Sequence, residues 1–125
     1  MKLEALLPSE VRSYEELVSM LDKLDSEWDS YRRDVFSFMD SWERVKVRLL
    51  EKISKTEGLV RAIESELEEL KVEVALGLRS EDESRDELEK LMKRREELED
   101  RLGALRSFLE EIETRIRDHR DRVTT

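Results

Sequence analysis

The sequence predicts an all-α protein: one long antiparallel helical hairpin, a coiled coil that self-association completes into a multi-helix bundle. Of the 125 residues, 46% are charged, while three are glycine and one is proline. This composition is typical of long helices and coiled coils. Apolar residues also recur at steps of three and four through most of the chain, which is the spacing of one face of an α-helix. A single glycine-containing turn divides the pattern into two arms.

We predict one helical domain with five consecutive segments. An N-terminal cap segment is followed by a long first helix, a short turn, a second helix and a tail. Neither helix contains a proline, because the only one is Pro8, so nothing in the sequence forces a break within an arm. The predicted segments are residues 1–9, 10–76, 77–80, 81–122 and 123–125.

The first arm has two candidate helix openings, at Pro8–Glu10 and at Ser13–Glu16. In both, a serine precedes an acidic residue near the start of an apolar pattern, as in capped helix N-termini. Two consecutive steps of four residues form a stutter that locally unwinds a supercoil. The predicted seam of this arm is Tyr14, Leu17, Leu21, Leu24, Trp28, Tyr31, Val35, Phe38, Trp42, Val45, Leu49, Ile53, Thr56, Val60, Ile63, Leu67, Leu70 and Val74, with the stutter at Val45, Leu49 and Ile53.

The turn is predicted from Gly77, which suits the left-handed conformation that closes a helix. Ser80 and Glu83 then form a capping box that opens the second helix. From Leu88 to Val123 that helix repeats a seam residue at every third or fourth position. Its predicted seam is Leu88, Leu91, Arg95, Leu98, Leu102, Leu105, Leu109, Ile112, Ile116, His119 and Val123.

Facing residues of an antiparallel hairpin have numbers that add up to a constant, and the two seams pass this test. Seven apolar pairs give a sum of 158, and Val45/Ile112 and Phe38/His119 give 157. Two unrelated helices have no reason to keep such a relation along a whole arm. The pairs with a sum of 158 are Leu70/Leu88, Leu67/Leu91, Val60/Leu98, Ile53/Leu105, Leu49/Leu109, Trp42/Ile116 and Val35/Val123.

In this register the second arm ends beside Val35, so residues 10–34 overhang the hairpin with an uncovered apolar seam. Two arrangements would cover the apolar seam of the overhang. The overhang folds back as a third helix, with Ser26 capping the new segment, or it packs on another chain. No glycine or proline marks a break near Ser26, which favours a continuous helix and a partner.

A partner interface is predicted on the overhang and on a second apolar stripe of the first arm. The stripe lies about 120° from the seam, since successive helical residues are about 100° apart. Phe108 is expected opposite Leu50, and two seams on one helix require at least a third helix. Five of the seven aromatic residues fall within residues 27–42. The predicted interface residues are Leu17, Leu21, Leu24, Trp28, Tyr31, Phe36, Met39, Val47, Leu50 and Phe108.

Catalytic, cofactor and metal sites are not predicted. The chain has no cysteine, its only histidine is His119, and the three glycines are too far apart to form a phosphate-binding loop. We interpret His119 as a packed seam residue. Arg95 is the one charged seam residue, and it either locks the register as a buried polar group or packs its stem while its guanidinium reaches a nearby glutamate.

The predicted function is a non-enzymatic assembly or scaffold protein that forms a homo-oligomer, a dimer or larger, or binds a heterologous helical partner. The alternative is a nucleic-acid-associated regulator that uses basic residues at the open end of the hairpin. The net charge of −9 opposes contact with phosphates or anionic lipids. The acidic tip around the turn faces solvent or a basic partner. The basic candidates are Arg44, Lys46, Arg48 and Lys52, together with the C-terminal arginines.

Two expectations concern the setting of the protein. The N-terminal stretch does not resemble a signal peptide and no apolar run is long enough to span a membrane, so we expect a cytoplasmic protein. Cysteine, asparagine and glutamine are all absent, and acid–base pairs four residues apart are frequent. Both features are typical of thermophilic proteins.

Overall fold

The structure, a computed structural model, describes residues 13–125. They form two α-helices, α1 (Tyr14–Ala75) and α2 (Glu81–Thr124), and contain no strand. The first helix has no break, so the stretch that overhangs the hairpin is continuous with the rest of α1. The predicted cap segment 1–9 and the candidate helix opening at Pro8–Glu10 lie outside the described residues.

The two helices pack against each other in opposite directions. Near the start of α1, Tyr31 contacts His119, which lies close to the end of α2. Further along α1, Glu57 contacts Arg106, which comes earlier in α2. Because positions on α2 decrease as positions on α1 increase, the pair is antiparallel, and the predicted all-α hairpin is confirmed.

Both helices begin at a serine whose side chain caps the first turn. The Ser13 hydroxyl accepts a hydrogen bond from the backbone N–H of Glu16 at 3.0 Å, and Ser80 accepts one from Glu83 at 3.1 Å. These bonds satisfy N–H groups that have no partner inside the helix. The acidic residues of each first turn also interact favourably with the positive end of the helix dipole.

The turn between the helices follows the expected glycine chemistry. Gly77 has φ 75°, the left-handed conformation that side-chain-bearing residues rarely adopt. The N–H of Leu78 donates to the carbonyl oxygen of Glu73 at 2.9 Å, and that of Gly77 donates to Val74 at 3.1 Å. This pair of bonds is a Schellman motif, which closes α1 and reverses the chain.

The core of the hairpin is a single seam between the helices. Its most enclosed side chain is Leu98, of which 1% is exposed. Burying a leucine fully stabilises a fold by about 1.5–3 kcal/mol, so a few such residues account for much of the packing energy. The buried residues of the seam are Val35, Trp42, Ile53, Thr56, Val60, Leu67 and Leu70 on α1, and Ser84, Leu98, Leu102 and Val123 on α2.

The contacts between the helices bracket the predicted register. The predicted pairs have numbers that add up to 157 or 158, and the observed side-chain contacts have sums from 150 to 163. Both members of the predicted pairs Val35/Val123 and Val60/Leu98 are buried. Helical side chains lean toward the N-terminus of their own helix, so contacts on either side of the mean are expected. The observed contacts are Tyr31–His119, Trp42–Phe108, Trp42–Glu113, Lys46–Glu113 and Glu57–Arg106.

Ser84, which the prediction left outside the seam, is 2% exposed and is the first seam residue of α2. Its small side chain fits close to the turn, and its hydroxyl donates to the carbonyl oxygen of Ser80 at 2.9 Å. At the other end of α2, Val123 is buried, as is its predicted partner Val35, and the side chain of Tyr31 reaches His119.

Two residues assigned to the seam of α1 are exposed instead, Val45 at 51% and Phe38 at 54%. From Trp42 to Ile53 the seam makes three turns in eleven residues, a step that follows the α-helix more closely than a heptad. On this path Lys46 lies about 40° from Trp42, and Val45 lies about 60° away on the other side. His119 contacts Tyr31, and Phe38 lies with both residues in the wall of one cleft.

Candidate assembly interface

The first 17 residues of α1, residues 14–30, are not covered by α2, and we call them the free arm. None of its side chains is buried. Val18 is half-buried, and the other side chains of the free arm are exposed. Leu21 is 59% exposed and Leu24 is 60% exposed, although leucine is among the residue types most often buried. The exposed large apolar residues of the free arm are Tyr14, Leu17, Met20, Leu21, Leu24 and Trp28.

The apolar stripe of the free arm is the same stripe that forms the hairpin seam. At about 100° per residue, Leu17, Leu24 and Trp28 lie within a sector of about 40° that also contains Val35. Val35 is buried by α2, whereas Trp28, two turns earlier, is 45% exposed. The stripe therefore crosses from a covered to an uncovered region without changing its face of the helix.

The boundary between the two regions is a polar contact. The hydroxyl oxygen of Tyr31 lies 2.6 Å from Nδ1 of His119, and the two rings are tilted with centroids 5.8 Å apart. Val123, the last seam residue of α2, is 6% exposed. Tyr31 is thus half-buried under the end of α2, and Trp28 packs beside it from the free arm with ring centroids 5.8 Å apart.

A polar clasp joins the helices inside the hairpin, at the level where Val45 was expected. Nζ of Lys46 lies 2.6 Å from Oε1 of Glu113, and Trp42 donates its indole N–H to the same oxygen at 3.2 Å. The hydrogen bond from Lys46 lowers the pKa of Glu113 below its usual range, and the bond to Glu113 raises the pKa of Lys46. The predicted seam passed through the apolar Val45 and left out the charged Lys46, so the clasp was not predicted.

The second predicted stripe, which we call the predicted flank, consists of Phe36, Met39, Val47 and Leu50. Met39 is half-buried, and the other three are between 42% and 55% exposed. Phe108 was expected opposite Leu50. It packs edge-on against Trp42 instead, with ring centroids 6.4 Å apart, and remains 47% exposed.

An apolar surface on the other side of the seam was not predicted. Phe38, Val45 and Leu59 lie at multiples of seven residues, with Lys52 between the last two, and the three apolar side chains are 43–54% exposed. Together with the predicted flank they widen the apolar face of α1 to about 200°, twice what a helix with one neighbour needs. A spacing of seven from Phe38 was visible in the sequence, but Phe38 and Val45 had been assigned to the core.

Beside this surface an apolar cleft of about 400 Å³ opens between the helices at the end of α2. Its walls carry aromatic and aliphatic side chains, with Asp34 and Arg115 among the lining residues. Such a cleft suits apolar side chains of another helix, because few polar groups in it could orient a small polar ligand. The remaining lining residues are Tyr31, Val35, Phe38, Met39, Ile112, Ile116 and His119.

Arg95 lies on the seam between Leu91 and Leu98 and is half-buried. The nearby glutamates Glu66 and Glu99 were expected to receive its guanidinium. No ion pair of Arg95 is found within residues 13–125, so the expected contact with a glutamate is not observed there. Its role in fixing the register stays a prediction.

The basic candidates for nucleic-acid contact do not form one surface. Arg44, Arg48 and Lys52 follow one another at steps of four, whereas Lys46 points to the opposite side and pairs with Glu113.

Near the tip, Arg79 lies within 2.9 Å of Glu73 and also pairs with Glu87. The acidic tip therefore contains a local ion-pair network across the turn.

Two further findings concern the described part of the chain. Within residues 13–125 no group of three or more histidine, cysteine or acidic side chains is placed to hold a metal ion. No helix in the same range combines the length and the apolar character needed to cross a bilayer. Comparison with protein-family models, with curated proteins and with solved structures finds no match.

Proposed function

We propose that the chain is a non-enzymatic coiled-coil assembly or scaffold protein that binds further copies of itself through its free arm and the predicted flank. The observation that supports this most directly is the apolar stripe from Tyr14 to Trp28, which continues the hairpin seam and is exposed. Removing apolar surface from water stabilises a complex by about 25 cal/mol per Å². A contiguous exposed stripe of this kind is typical of a protein interaction site.

Two apolar surfaces beside the seam support an assembly with more than one contact. They are the predicted flank and the surface formed by Phe38, Val45 and Leu59. A helix whose apolar face spans about 200° is covered by two or three neighbours, whereas α1 has one. The free arm and the flanks face different directions, so one partner helix cannot cover both. We therefore propose a dimer or a higher oligomer. A heterologous helix with the same apolar spacing is the competing occupant of the free arm.

The expected setting of this assembly is the cytoplasm of an organism that lives at high temperature. This expectation rests on the sequence: on the absence of cysteine, asparagine and glutamine and on the dense acid–base pairing. Ion-pair networks stabilise proteins more at high temperature than at 25 °C.

The test introduces charge into the free arm on its two faces. Leu21→Asp with Leu24→Asp places two carboxylates on the apolar stripe, and Ser19→Asp with Ser26→Asp places the same two charges on the opposite face. We expect the first variant to be monomeric and the second to keep the wild-type mass in size-exclusion chromatography with light scattering. Circular dichroism should show a folded hairpin in both. A monomeric wild type at all concentrations would contradict the proposal.

Salt dependence separates this function from the nucleic-acid alternative. The free arm contains six acidic residues and one lysine, so two arms that meet repel each other. Added salt screens this repulsion and should strengthen self-association. Nucleic-acid binding weakens steeply with salt, because it depends on the release of counterions. Retention of the chain on DNA at low salt, lost at high salt, would favour the alternative.

A further inference from the structure

We propose that a second copy of this chain occupies the free arm in antiparallel orientation, with Leu17 facing Trp28 of the second copy and Leu21 facing Leu24. This inference rests on the proposed self-association and specifies its geometry. It follows from three features of the described structure: the position of α2, the spacing of the apolar stripe and the charges at the helix ends.

The orientation follows from the position of α2. Because α1 is one continuous helix, a partner helix that lies on its apolar stripe follows the same line toward the hairpin. A parallel partner starts near Tyr14, passes Tyr31 and then runs into α2, which occupies the stripe from Tyr31 onward. The described part of an antiparallel partner, residues 13–125, begins near Tyr31 and runs away from α2. For these residues the antiparallel orientation leaves both hairpins intact.

The register follows from the apolar spacing. Tyr14, Leu17, Leu21, Leu24, Trp28 and Tyr31 are separated by steps of three, four, three, four and three residues. This series reads the same in reverse, so an antiparallel copy presents an apolar residue opposite every one of them. The alternation also matches the packing of antiparallel coiled coils, in which knobs of one helix fill holes of the other. The six layers of this register are Tyr14 with Tyr31, Leu17 with Trp28 and Leu21 with Leu24, each occurring twice.

The helix ends match as well. In this register Tyr14 of the second copy lies level with Tyr31, which is where α2 ends. The first turn of the incoming α1 carries Glu15 and Glu16, and the last turn of α2 carries Arg122. The positive N-terminal end of one helix dipole meets the negative C-terminal end of the other, and the acidic and basic side chains attract across the junction. The α2 helix of the first copy and the α1 helix of the second copy then lie end to end along the α1 helix of the first copy.

This arrangement predicts an elongated dimer. The 62 residues of α1 span about 93 Å at 1.5 Å per residue. Two hairpins that overlap only through their free arms extend in opposite directions, and the rod reaches about 160 Å from tip to tip at the same rise per residue. A dimer whose hairpins lie side by side along their whole length stays near the length of α1.

The experiment combines small-angle X-ray scattering of the wild type with cysteine cross-linking. The chain has no cysteine, so Leu17→Cys with Trp28→Cys introduces the only two thiols. In the proposed register each thiol meets its counterpart of the second copy, and we expect a covalent dimer after oxidation. The two single variants serve as controls, because like positions lie about 16 Å apart along the axis, too far for a disulfide.

The outcomes distinguish the two levels of the proposal. A maximum dimension near 160 Å for the wild type, together with cross-linking of the double variant alone, supports the antiparallel register. A dimer no longer than about 100 Å, or efficient cross-linking of Leu17→Cys alone, overturns it while self-association stands. A wild type that scatters as a monomer at all concentrations overturns both. The scattering measurement decides even where the cysteine substitutions weaken association.

Discussion

The two parts of α1 carry the same apolar stripe but differ in what covers it. From Tyr31 to Ala75 the stripe lies against α2, and Leu67 and Leu70 are 4% and 3% exposed. In the free arm the stripe continues with the same spacing, and Leu24 is 60% exposed. The sequence pattern thus determines which face of the helix is apolar. The length of α2 and the register determine how much of that face is covered within one chain.

This difference also separates two kinds of stability. The covered part is held by intrachain packing, which is independent of protein concentration. The free arm is an exposed helix of 17 residues, and isolated helices of this length are marginal in water. It gains stability only from a partner, and binding to the folded state stabilises that state by an amount that grows with the logarithm of the partner's concentration once this exceeds the Kd. Substitutions in the two parts should therefore change different measured quantities.

The largest expected difference is between the two tryptophans. Trp42 is 5% exposed and contacts Phe108 and Glu113. Trp42→Ala should lower the free energy of unfolding by about 3–5 kcal/mol, the range for removing a buried aromatic side chain. Trp28→Ala should leave the hairpin of the monomer folded and weaken association instead. Chemical denaturation at low protein concentration measures the first effect, and light scattering measures the second.

Equal losses of unfolding free energy in the two monomeric variants would contradict the distinction between the parts of α1. Trp42→Phe provides a control, since it keeps a ring in the seam but removes the indole N–H that Glu113 accepts. We expect its loss of stability to lie between those of the wild type and Trp42→Ala.

A smaller effect is expected at the turn between the helices. Gly77 has a positive φ, so Gly77→Ala should cost about 1–2 kcal/mol of unfolding free energy. Gly103 lies inside α2 with nothing within 4 Å of an added Cβ. Gly103→Ala should instead stabilise the hairpin by about 0.5–1 kcal/mol. Thermal melts of the two variants should shift in opposite directions, and shifts of the same sign would contradict the backbone argument.

The smallest effect concerns the polar clasp of Lys46 and Glu113. The pKa of Glu113 is lowered, so its contribution is present above its ordinary value of 4.5 and is lost as the pH falls through the folded value. The pKa of Lys46 is raised, so its contribution is complete below 10.5 and is lost as the pH rises through the folded value. Both groups are 32% exposed, and solvent screening keeps the effect small.

The melting temperature should therefore be highest between these two limits, and Glu113→Gln should reduce the loss on the acidic side. Glu110→Gln, which removes a carboxylate of the same helix that makes no contact with Lys46, is the matched control. An identical acid profile for the wild type and Glu113→Gln would show that the clasp does not contribute to stability.

The hairpin itself was predictable, because helix period, caps and the turn glycine are local properties of the sequence. Ser13, Ser80 and Gly77 act as their residue types indicate. Spacing alone does not distinguish registers that differ by three or four residues, since such a slide keeps apolar side chains facing each other. Ser84, the first buried residue of α2, was not assigned to the seam, because a small polar residue gives no apolar signal.

The candidate interface likewise has a part that was predictable from the sequence and a part that was not. The exposed stripe of the free arm follows from arm lengths, which the sequence contains, and the residues from Leu17 to Trp28 lie where that reasoning placed them. Phe38 and Val45 were assigned to the core because they continue the apolar steps of three and four. Both are exposed, and next to Val45 the seam position is taken by Lys46, a charged residue that an apolar pattern leaves out.

The most direct test of the central claim, that the free arm is the unpaired half of one seam, is amide hydrogen exchange at two protein concentrations. At a concentration where light scattering shows a monomer, we predict fast exchange in residues 18–30 and slow exchange in residues 42–70. At a concentration where it shows an oligomer, both stretches should exchange slowly. Protection of residues 18–30 in the monomer equal to that of residues 42–70, or fast exchange of residues 18–30 in the oligomer, would contradict the claim.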